Sequence, residues 1–286
     1  MDISTLNAFI AVARHESFSK ASEHLFITQP AISKRVAALE EELGAQLFNR
    51  IARRISLTEA GKQLLPKAQE LVNQAEDMQR YASNLNQDIS GNLSIAISHH
   101  IGLHRMPPIL KEFNQSYPTV NLDIRFEDSD QAFQAVEQGD IEFAVITLPN
   151  SVPKQLNKEV VWQDELVIVA ASDHPLSGSS NTQFSALANY PCVLPSSDTE
   201  THKIMQREFD QHGLSLNVQM ETNNLETLKM LVFAGIGWSL LPRTMLDNTL
   251  HTLDIGKHIQ RELGLVLHNK RSLSNAAKAL KALIVN

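Results

Sequence analysis

The sequence predicts two parts of different fold class: a small all-α module with a long connecting helix, and a larger α/β domain. Three observations support this division. Apolar residues recur at helical spacing over the first 43 residues, a heptad pattern follows them, and short apolar runs alternate with helical segments from about residue 91. A chain of 286 residues is long enough for two or three domains with separate cores.

The first module begins with three short helices. Apolar positions within residues 6–13 mark the first helix, and those within residues 18–25 mark the second. Thr28 is suited to cap the third helix, and Pro30 fits its first turn, where a proline removes no helical hydrogen bond. The third helix runs to Leu43, which precedes a glycine.

The third helix has an apolar side and a polar side. Its apolar positions recur at steps of four and three residues, and we expect all of them to be buried: Ile32, Val36, Leu39 and Leu43. The opposite side of its first turns carries residues that suit contacts with base edges: Gln29, Pro30, Ser33 and Lys34. The second and third helices thus match the helix-turn-helix that reads the DNA major groove. A plain helical bundle with a solvated polar side is the alternative.

A cationic hairpin is predicted after the third helix. Residues 46–57 alternate between apolar and polar, which favours a short two-stranded wing. Residues 44–58 contain Arg50, Arg53 and Arg54 and no acidic residue, so we expect these arginines to contact phosphates or the minor groove. The first 62 residues hold 8 basic and 7 acidic side chains, whereas the whole chain has a net charge of −7. A solvated hairpin is the alternative.

These motifs carry a family resemblance. The run FSKASEHLFITQPAISKRVAALEEELGAQLFNR, followed by ISLTEAGKQLL, resembles the LysR-type transcriptional regulators. The resemblance implies a winged helix-turn-helix DNA-binding domain over residues 1–58, a linker helix for dimerisation over residues 59–90, and an effector-binding regulatory domain over residues 91–286. It also implies a homodimer or homotetramer that binds promoter DNA.

The linker helix is predicted to run from its N-cap, Thr58, to about residue 86. Apolar or small residues recur along it at steps of four and three: Leu64, Ala68, Leu71, Ala75, Met78, Ala82 and Leu85. This heptad seam favours a partner helix, and hence a homodimer on a roughly palindromic DNA site. Packing of the seam on the same chain is the alternative. Pro66 removes one backbone hydrogen bond, so we expect a bend near it.

The remaining two-thirds of the chain predict an α/β fold. A first set of strands, LSIAI, VNLDIRF and IEFAVIT, alternates with helices that end at Phe113 and Gln138. A second set follows with ELVIVAA, CVLP, NVQME and WSLLP, helices at about 199–211 and 225–234, the strand LGLVL and a helix from Ser274. The βαβαβ order of the first set predicts a parallel sheet.

The two sets predict two subdomains, about 91–162 with 267–286, and about 163–266. Strands near residues 160–166 and 260–267 would cross between them and leave a cleft, and such clefts bind small molecules. The resemblance implies a fold similar to periplasmic binding proteins. It also implies that a cleft ligand, by the family's habit a small carboxylate or amino-acid-like metabolite, alters the placement of the DNA-binding domains.

Candidate effector-binding residues follow the predicted strands, where free helix N–H groups favour anions. They are Ser98, His99, His100, Ser129, Thr147, Ser196, Ser197, Thr222 and Asn223. The resemblance implies ligand contacts at Ser98, Ser129, Thr147 and Ser196. Helix capping is the alternative role for the hydroxyl groups.

Several functional classes lack support in the sequence. A DNA-binding enzyme is the main alternative, but no nucleophile elbow, glycine-rich phosphate loop or two-histidine zinc motif is present, so we assign no catalytic residue and no cofactor. His100 and His104 share helical spacing without a third metal ligand, so no metal site is predicted. A ligand-free architectural DNA-binding protein is a second alternative that the sequence does not exclude. With one cysteine, no apolar span for a membrane and no basic leader, we expect a cytoplasmic protein.

Overall fold

A computed structural model describes residues 1–51, 54–85, 88–178 and 182–286, apart from the side chains of Arg50, Ile51, Arg54 and Ser83. The chain divides into two compact units, residues 1–86 and residues 87–286. Over the described ranges, no helix combines the length and the apolar character that crossing a membrane requires.

The first unit contains four helices and a hairpin among its described residues. They are α1 (Ile3–His15), α2 (Phe18–His24), α3 (Gln29–Leu43), β1 (Phe48–Ile51), β2 (Arg54–Leu57) and α4 (Glu59–Asn84). The three predicted short helices, the antiparallel wing and the long helix are therefore confirmed. Thr28 is the N-cap of α3 as predicted, although its side chain makes no capping hydrogen bond.

The core of this unit uses one residue of α3 that the apolar pattern did not include. Ile32, Val36 and Leu39 are buried as predicted, but Leu43 is 39% exposed, so its assignment to the buried side was wrong. Glu40 is buried instead, and its Oε1 accepts hydrogen bonds from the backbone N–H groups of Leu47 (2.7 Å) and Phe48 (3.3 Å). This carboxylate ties α3 to the first strand of the wing.

The start of α4 is fixed by close backbone packing. Thr58 Oγ1 accepts a hydrogen bond from the N–H of Gly61 at 2.9 Å, which confirms the predicted cap. A Cβ on Gly61 would lie 2.2 Å from the carbonyl oxygen of Leu47, so a glycine is required there for steric reasons. The helix is continuous through Pro66.

The predicted heptad seam of α4 divides into two parts. Ala68 is buried and Leu64 partly buried in the core of the first unit, so for these two residues the expectation of a partner helix was wrong. Val72, outside the seam, is buried beside them. The second part is exposed, with Met78 and Leu85 each 71% accessible.

The second unit contains nine strands and six α-helices among its described residues. Its strands are β3 (Gly91–Ile97), β4 (Val120–Phe126), β5 (Phe143–Thr147), β6 (Leu156–Ala171), β7 (Cys192–Leu194), β8 (Val218–Glu221), β9 (Ser239–Pro242), β10 (Leu250–Leu253) and β11 (Ile259–His268). Its helices are α5 (His99–His104), α6 (Met106–Ser116), α7 (Ser129–Gln138), α8 (Glu200–Gln211), α9 (Leu225–Phe233) and α10 (Asn275–Val285). The prediction of a single helix up to Phe113 was wrong. The helical segment is interrupted at Arg105, and α6 begins after it with two prolines in its first turn.

The parallel sheet predicted from the first set of strands is confirmed, because β3 pairs in parallel with both β4 and β5. The larger sheet has the order β10-β6-β11-β5-β3-β4, and β9 also pairs with β6. Only the β3 pairings with β4 and β5 are parallel in this sheet, and β7 and β8 form a separate parallel pair. The antiparallel pairings come from the two long strands, which run in opposite directions along each other.

The two long strands join two lobes, which we define by their elements. Lobe 1 contains β3–β5, α5–α7 and α10, and lobe 2 contains β7–β10, α8 and α9. β6 and β11 pair along most of their length, with an irregularity between Leu263 and Gly264. A Cβ on Gly264 would lie 2.0 Å from the carbonyl oxygen of Glu159, so the crossing backbones are in contact there. The crossing segments predicted near residues 160–166 and 260–267 lie within these two strands.

Candidate functional site

The polar side of α3 is presented to solvent. Gln29, Pro30 and Lys34 are exposed and Ser33 is half-buried, all within the first two turns. Because positions i, i+1, i+4 and i+5 of a helix share one side, these four residues form a continuous surface opposite the buried core. We call these residues the α3 face.

The wing, formed by β1 and β2, follows α3, and the structure describes the backbone of both strands. Arg50 lies opposite Ile55 and Arg54 lies opposite Ile51 in the antiparallel register. Their backbone positions are described, whereas their side chains, and the whole of Arg53, lie outside the described residues.

The second unit has a cavity of about 470 Å³ between its two lobes. Lobe 1 contributes the first residues of α5 and α7 and the end of β5. Lobe 2 contributes the first residues of α8 and the start of α9, and the strand β11 supplies Arg261. Several backbone N–H groups of helix N-termini therefore border one cavity.

Six of the nine candidate effector residues line this cavity: Ser98, His99, His100, Ser129, Thr147 and Asn223. Ser196, Ser197 and Thr222 are not among its described lining residues. The backbone N–H of Ser196 donates to Oδ1 of Asn223, which does line the cavity, at 3.0 Å. The amide nitrogen of Asn223 donates to Asp128 Oδ2 at 2.8 Å, which links lobe 2 to lobe 1.

Arg261 and Asp164 form a buried ion pair that sequence reasoning missed. The two residues stand opposite each other on β11 and β6. Arg261 Nε and Nη2 each lie 2.9 Å from Asp164 Oδ2, and Nη1 donates to Thr201 Oγ1 at 2.8 Å. Asp164 is 1% exposed and Arg261 lines the cavity. The sequence carried no clear signal for this pair, because both strands contain other charged residues, among them Lys158, Glu165 and Glu262.

His100 is buried against this ion pair. Burial, and then the positive charges of Arg261, His104 and Arg105, lower the pKa of His100 to about 3. Its ring is therefore neutral at physiological pH. The rings of His100 and His104 lie 4.7 Å apart between centroids, but no group of three potential metal ligands occurs anywhere in the described part of the chain.

Family models match both units. A model of bacterial regulatory helix-turn-helix proteins of the lysR family matches residues 3–62, and a model of the LysR substrate binding domain matches residues 86–286. The chain belongs to the LysR family. It is accordingly a DNA-binding transcriptional regulator with an effector-binding domain, and not an enzyme.

Individual relatives agree with this assignment. The chain is 57% identical over 108 residues to an uncharacterized HTH-type transcriptional regulator of Azotobacter vinelandii, a match that covers 38% of this chain and 75% of the relative. It is 31% identical to a probable RuBisCO transcriptional regulator of Thalassiosira pseudonana, with 86% of this chain and 82% of the relative covered.

The fold also matches solved full-length LysR-type structures. Full-length CbnR, solved in complex with its target DNA, superposes with a TM-score of 0.63 at 19% identity, over 100% of this chain and 99% of that one. The predicted fold class, a winged helix-turn-helix with a linker helix and a two-subdomain α/β regulatory domain, is confirmed.

Proposed function

We propose that residues 1–58 bind a roughly palindromic promoter site as part of a homodimer or homotetramer, and that residues 91–286 bind the effector that controls them. Residues 59–90 are the dimerisation linker, and the regulatory domain comprises subdomains at about 91–162 with 267–286 and at about 163–266. The α3 face is the observation that carries the DNA-binding proposal, because four residues suited to groove contacts share one solvent-facing surface.

In this proposal the α3 face reads base edges. Gln29 pairs with adenine, Ser33 and Lys34 hydrogen-bond within the groove, and Pro30 contacts a thymine methyl group. The wing residues Arg50, Arg53 and Arg54 contact phosphates or the minor groove on either side. The proposed location is the cytoplasm, because the partner is DNA and the matching helix-turn-helix model is of bacterial proteins.

Dimerisation is proposed to use the exposed half of α4. Leu71, Met78 and Leu85 recur every seven residues, and all three are solvent-accessible within the first unit. Apolar residues at this spacing favour a coiled-coil partner, and a second copy of α4 supplies the same pattern. The dimer presents two α3 faces, which explains a palindromic site.

The proposed effector is a small carboxylate or amino-acid-like metabolite in the lobe cavity. A volume of about 470 Å³ suits a small molecule. The helix N-termini that border the cavity favour an anionic group, and Ser98, His99, His100, Ser129, Thr147 and Asn223 supply hydrogen-bonding groups. Ser196, Ser197 and Thr222 take part, in this proposal, when the lobes change their separation.

Base reading by α3 can be tested without knowing the natural target. We expect the full chain to enrich an inverted repeat from a random DNA pool. The Gln29→Ala, Ser33→Ala double variant should lose preference at the contacted base pairs, since each good base contact discriminates by about 1–3 kcal/mol. The measurement is the base frequency at each position of the selected sites.

Glu41→Ala is the matched control, because Glu41 is exposed on the same helix two turns beyond the α3 face. It should select the wild-type motif. Identical motifs from the wild type and the double variant would show that α3 does not read bases through Gln29 and Ser33.

A further inference from the structure

The turn between α2 and α3 carries the most exposed large apolar side chain that the structure describes. Phe26 is 95% exposed, whereas Met78 and Leu85 on α4 are each 71% exposed. A side chain this exposed adds almost no stability to its own fold, because its apolar surface stays in water. Packing within the chain therefore does not account for a phenylalanine at this position.

Phe26 also has a backbone conformation that favours glycine. Its φ is 53°, which lies in the left-handed region. The hydrogen bonds that end α2 set this conformation. The N–H of Phe26 donates to the carbonyl of Glu23 at 3.2 Å, and the N–H of Ile27 donates to that of Ser22 at 3.1 Å. This is the Schellman motif, whose left-handed residue is usually glycine.

Other helices of the chain end with the same pair of hydrogen bonds and have glycine at the equivalent position. In the described ranges this holds for α3, α7, α8 and α9, whose left-handed residues are Gly44, Gly139, Gly213 and Gly235. At the end of α2 the position is occupied by Phe26 instead. A residue that is both strained and exposed points to a role in binding rather than in folding.

The place of Phe26 in the chain fits a contact with the DNA that α3 reads. Phe26 precedes Gln29, the first residue of α3, by three positions, so their Cα atoms are at most about 11 Å apart. The major groove is about 12 Å wide, and successive bases are about 3.4 Å apart. Phe26 can therefore reach bases about three positions from the one that Gln29 contacts. The apolar group that a phenylalanine recognises in this groove is the C5-methyl group of thymine.

We propose that Phe26 contacts the C5-methyl group of a thymine in each half-site, and that the left-handed turn holds its ring toward the groove. This inference rests on the proposed base reading by the α3 face. It adds a specificity-determining residue that lies outside α3. The ring discriminates thymine from the other three bases at one position of each half-site.

Removal of single thymine methyl groups tests this contact on the full chain. In one half-site of the selected DNA, each thymine is replaced in turn by deoxyuridine, which lacks only the C5-methyl group, and fluorescence anisotropy gives the affinity. We expect the wild type to bind about fourfold more weakly when the contacted thymine is replaced, since the burial of one methyl group is lost. Phe26→Gly should bind the thymine and deoxyuridine forms of that position equally. A thymine contacted by Pro30 should keep its sensitivity in this variant.

Stability distinguishes a contact with DNA from a structural role. Phe26→Gly removes the left-handed strain, so its thermal unfolding midpoint should equal or exceed that of the wild type, while its DNA affinity falls about fourfold or more. Phe26→Leu keeps an apolar side chain and should retain part of the methyl sensitivity. A lower midpoint together with a lower affinity of Phe26→Gly would assign a structural role to Phe26 and overturn the inference.

Glu41→Ala is again the matched control, because Glu41 is exposed on α3 beyond the α3 face. It should keep the wild-type sensitivity at every thymine. If the wild type and Phe26→Gly lose the same affinity at every replaced thymine, while the Gln29→Ala, Ser33→Ala double variant loses its base preference, α3 reads bases but the Phe26 contact is wrong. If the full chain selects no DNA motif, both are wrong.

Discussion

Arg261→Met is expected to destabilise the second unit by about 3 kcal/mol or more. The substitution keeps the length of the side chain but leaves the Asp164 carboxylate, which is 1% exposed, without its closest cation. Arg105 Nη2 lies 3.7 Å from the other carboxylate oxygen and compensates in part. Chemical denaturation of the full chain measures the loss in the transition of this unit.

The Asp164→Leu, Arg261→Met double variant is the control, because it removes both charges together. It should recover most of the lost stability, since a well-packed apolar pair often replaces a buried ion pair at little cost. A double variant as unstable as Arg261→Met would show that the lost packing of Arg261, and not the unpaired charge of Asp164, causes the effect.

The stability of the Arg261→Met variant should also depend on pH, through the protonation of His100. Arg261 is the largest charge that lowers the pKa of His100, second only to burial. Without it, His100 takes up a proton more readily beside Asp164, so the stability difference from the wild type should shrink as the pH is lowered from about 7 to about 5. The sign follows because the folded variant then binds more protons than the folded wild type. A constant difference over this range would contradict it.

Met78→Glu is expected to dissociate the dimer and weaken binding to a two-half-site DNA by at least about a hundredfold. Met78 is 71% exposed, so a glutamate there leaves the first unit folded but places a charge in the proposed α4 interface. A monomer binds each half-site independently and loses the effective concentration that linkage provides. Sedimentation gives the oligomeric state, and gel mobility gives the DNA affinity.

Gln74→Glu is the matched control, because it adds the same charge to an exposed position of α4 outside the seam. It should remain dimeric and bind DNA as the wild type does. A Met78→Glu protein that stays dimeric would place the dimer interface elsewhere.

The features that could be predicted from sequence are those set by local pattern. The apolar periodicity of residues 6–43 located three helices, because each of those helices buries one side in a common core. Glu40 could not be predicted as buried, because a glutamate in the run EEEL is typical of a solvated helix end. The burial of Glu40 depends on the hydrogen bonds that it accepts from the backbone N–H groups of Leu47 and Phe48. These are tertiary contacts.

Some residues that line the cavity could be predicted from the sequence, because the strand pattern locates the ends of neighbouring strands. Ser98 follows β3 and Thr147 ends the neighbouring parallel strand β5, so both lie at the same sheet edge and line the cavity. The Arg261–Asp164 pair depends on the register of two long antiparallel strands, and the apolar pattern of those strands does not encode which residues stand opposite each other. The hydroxyl residues after β7 and β8 are not among the described lining residues, and their role in ligand binding stays a prediction.

The most direct test of effector-controlled DNA binding is the affinity of the full chain for its cavity ligand, measured with and without the DNA selected by that chain. The ligand is the small carboxylate or amino acid that gives the largest thermal shift with the full chain. We predict that saturating DNA changes the Kd of that compound by about 5–150-fold, and that the compound changes the DNA affinity by the same factor, because coupling between two sites is reciprocal. A ligand Kd that is identical with and without DNA would contradict control of the DNA-binding unit by the cavity.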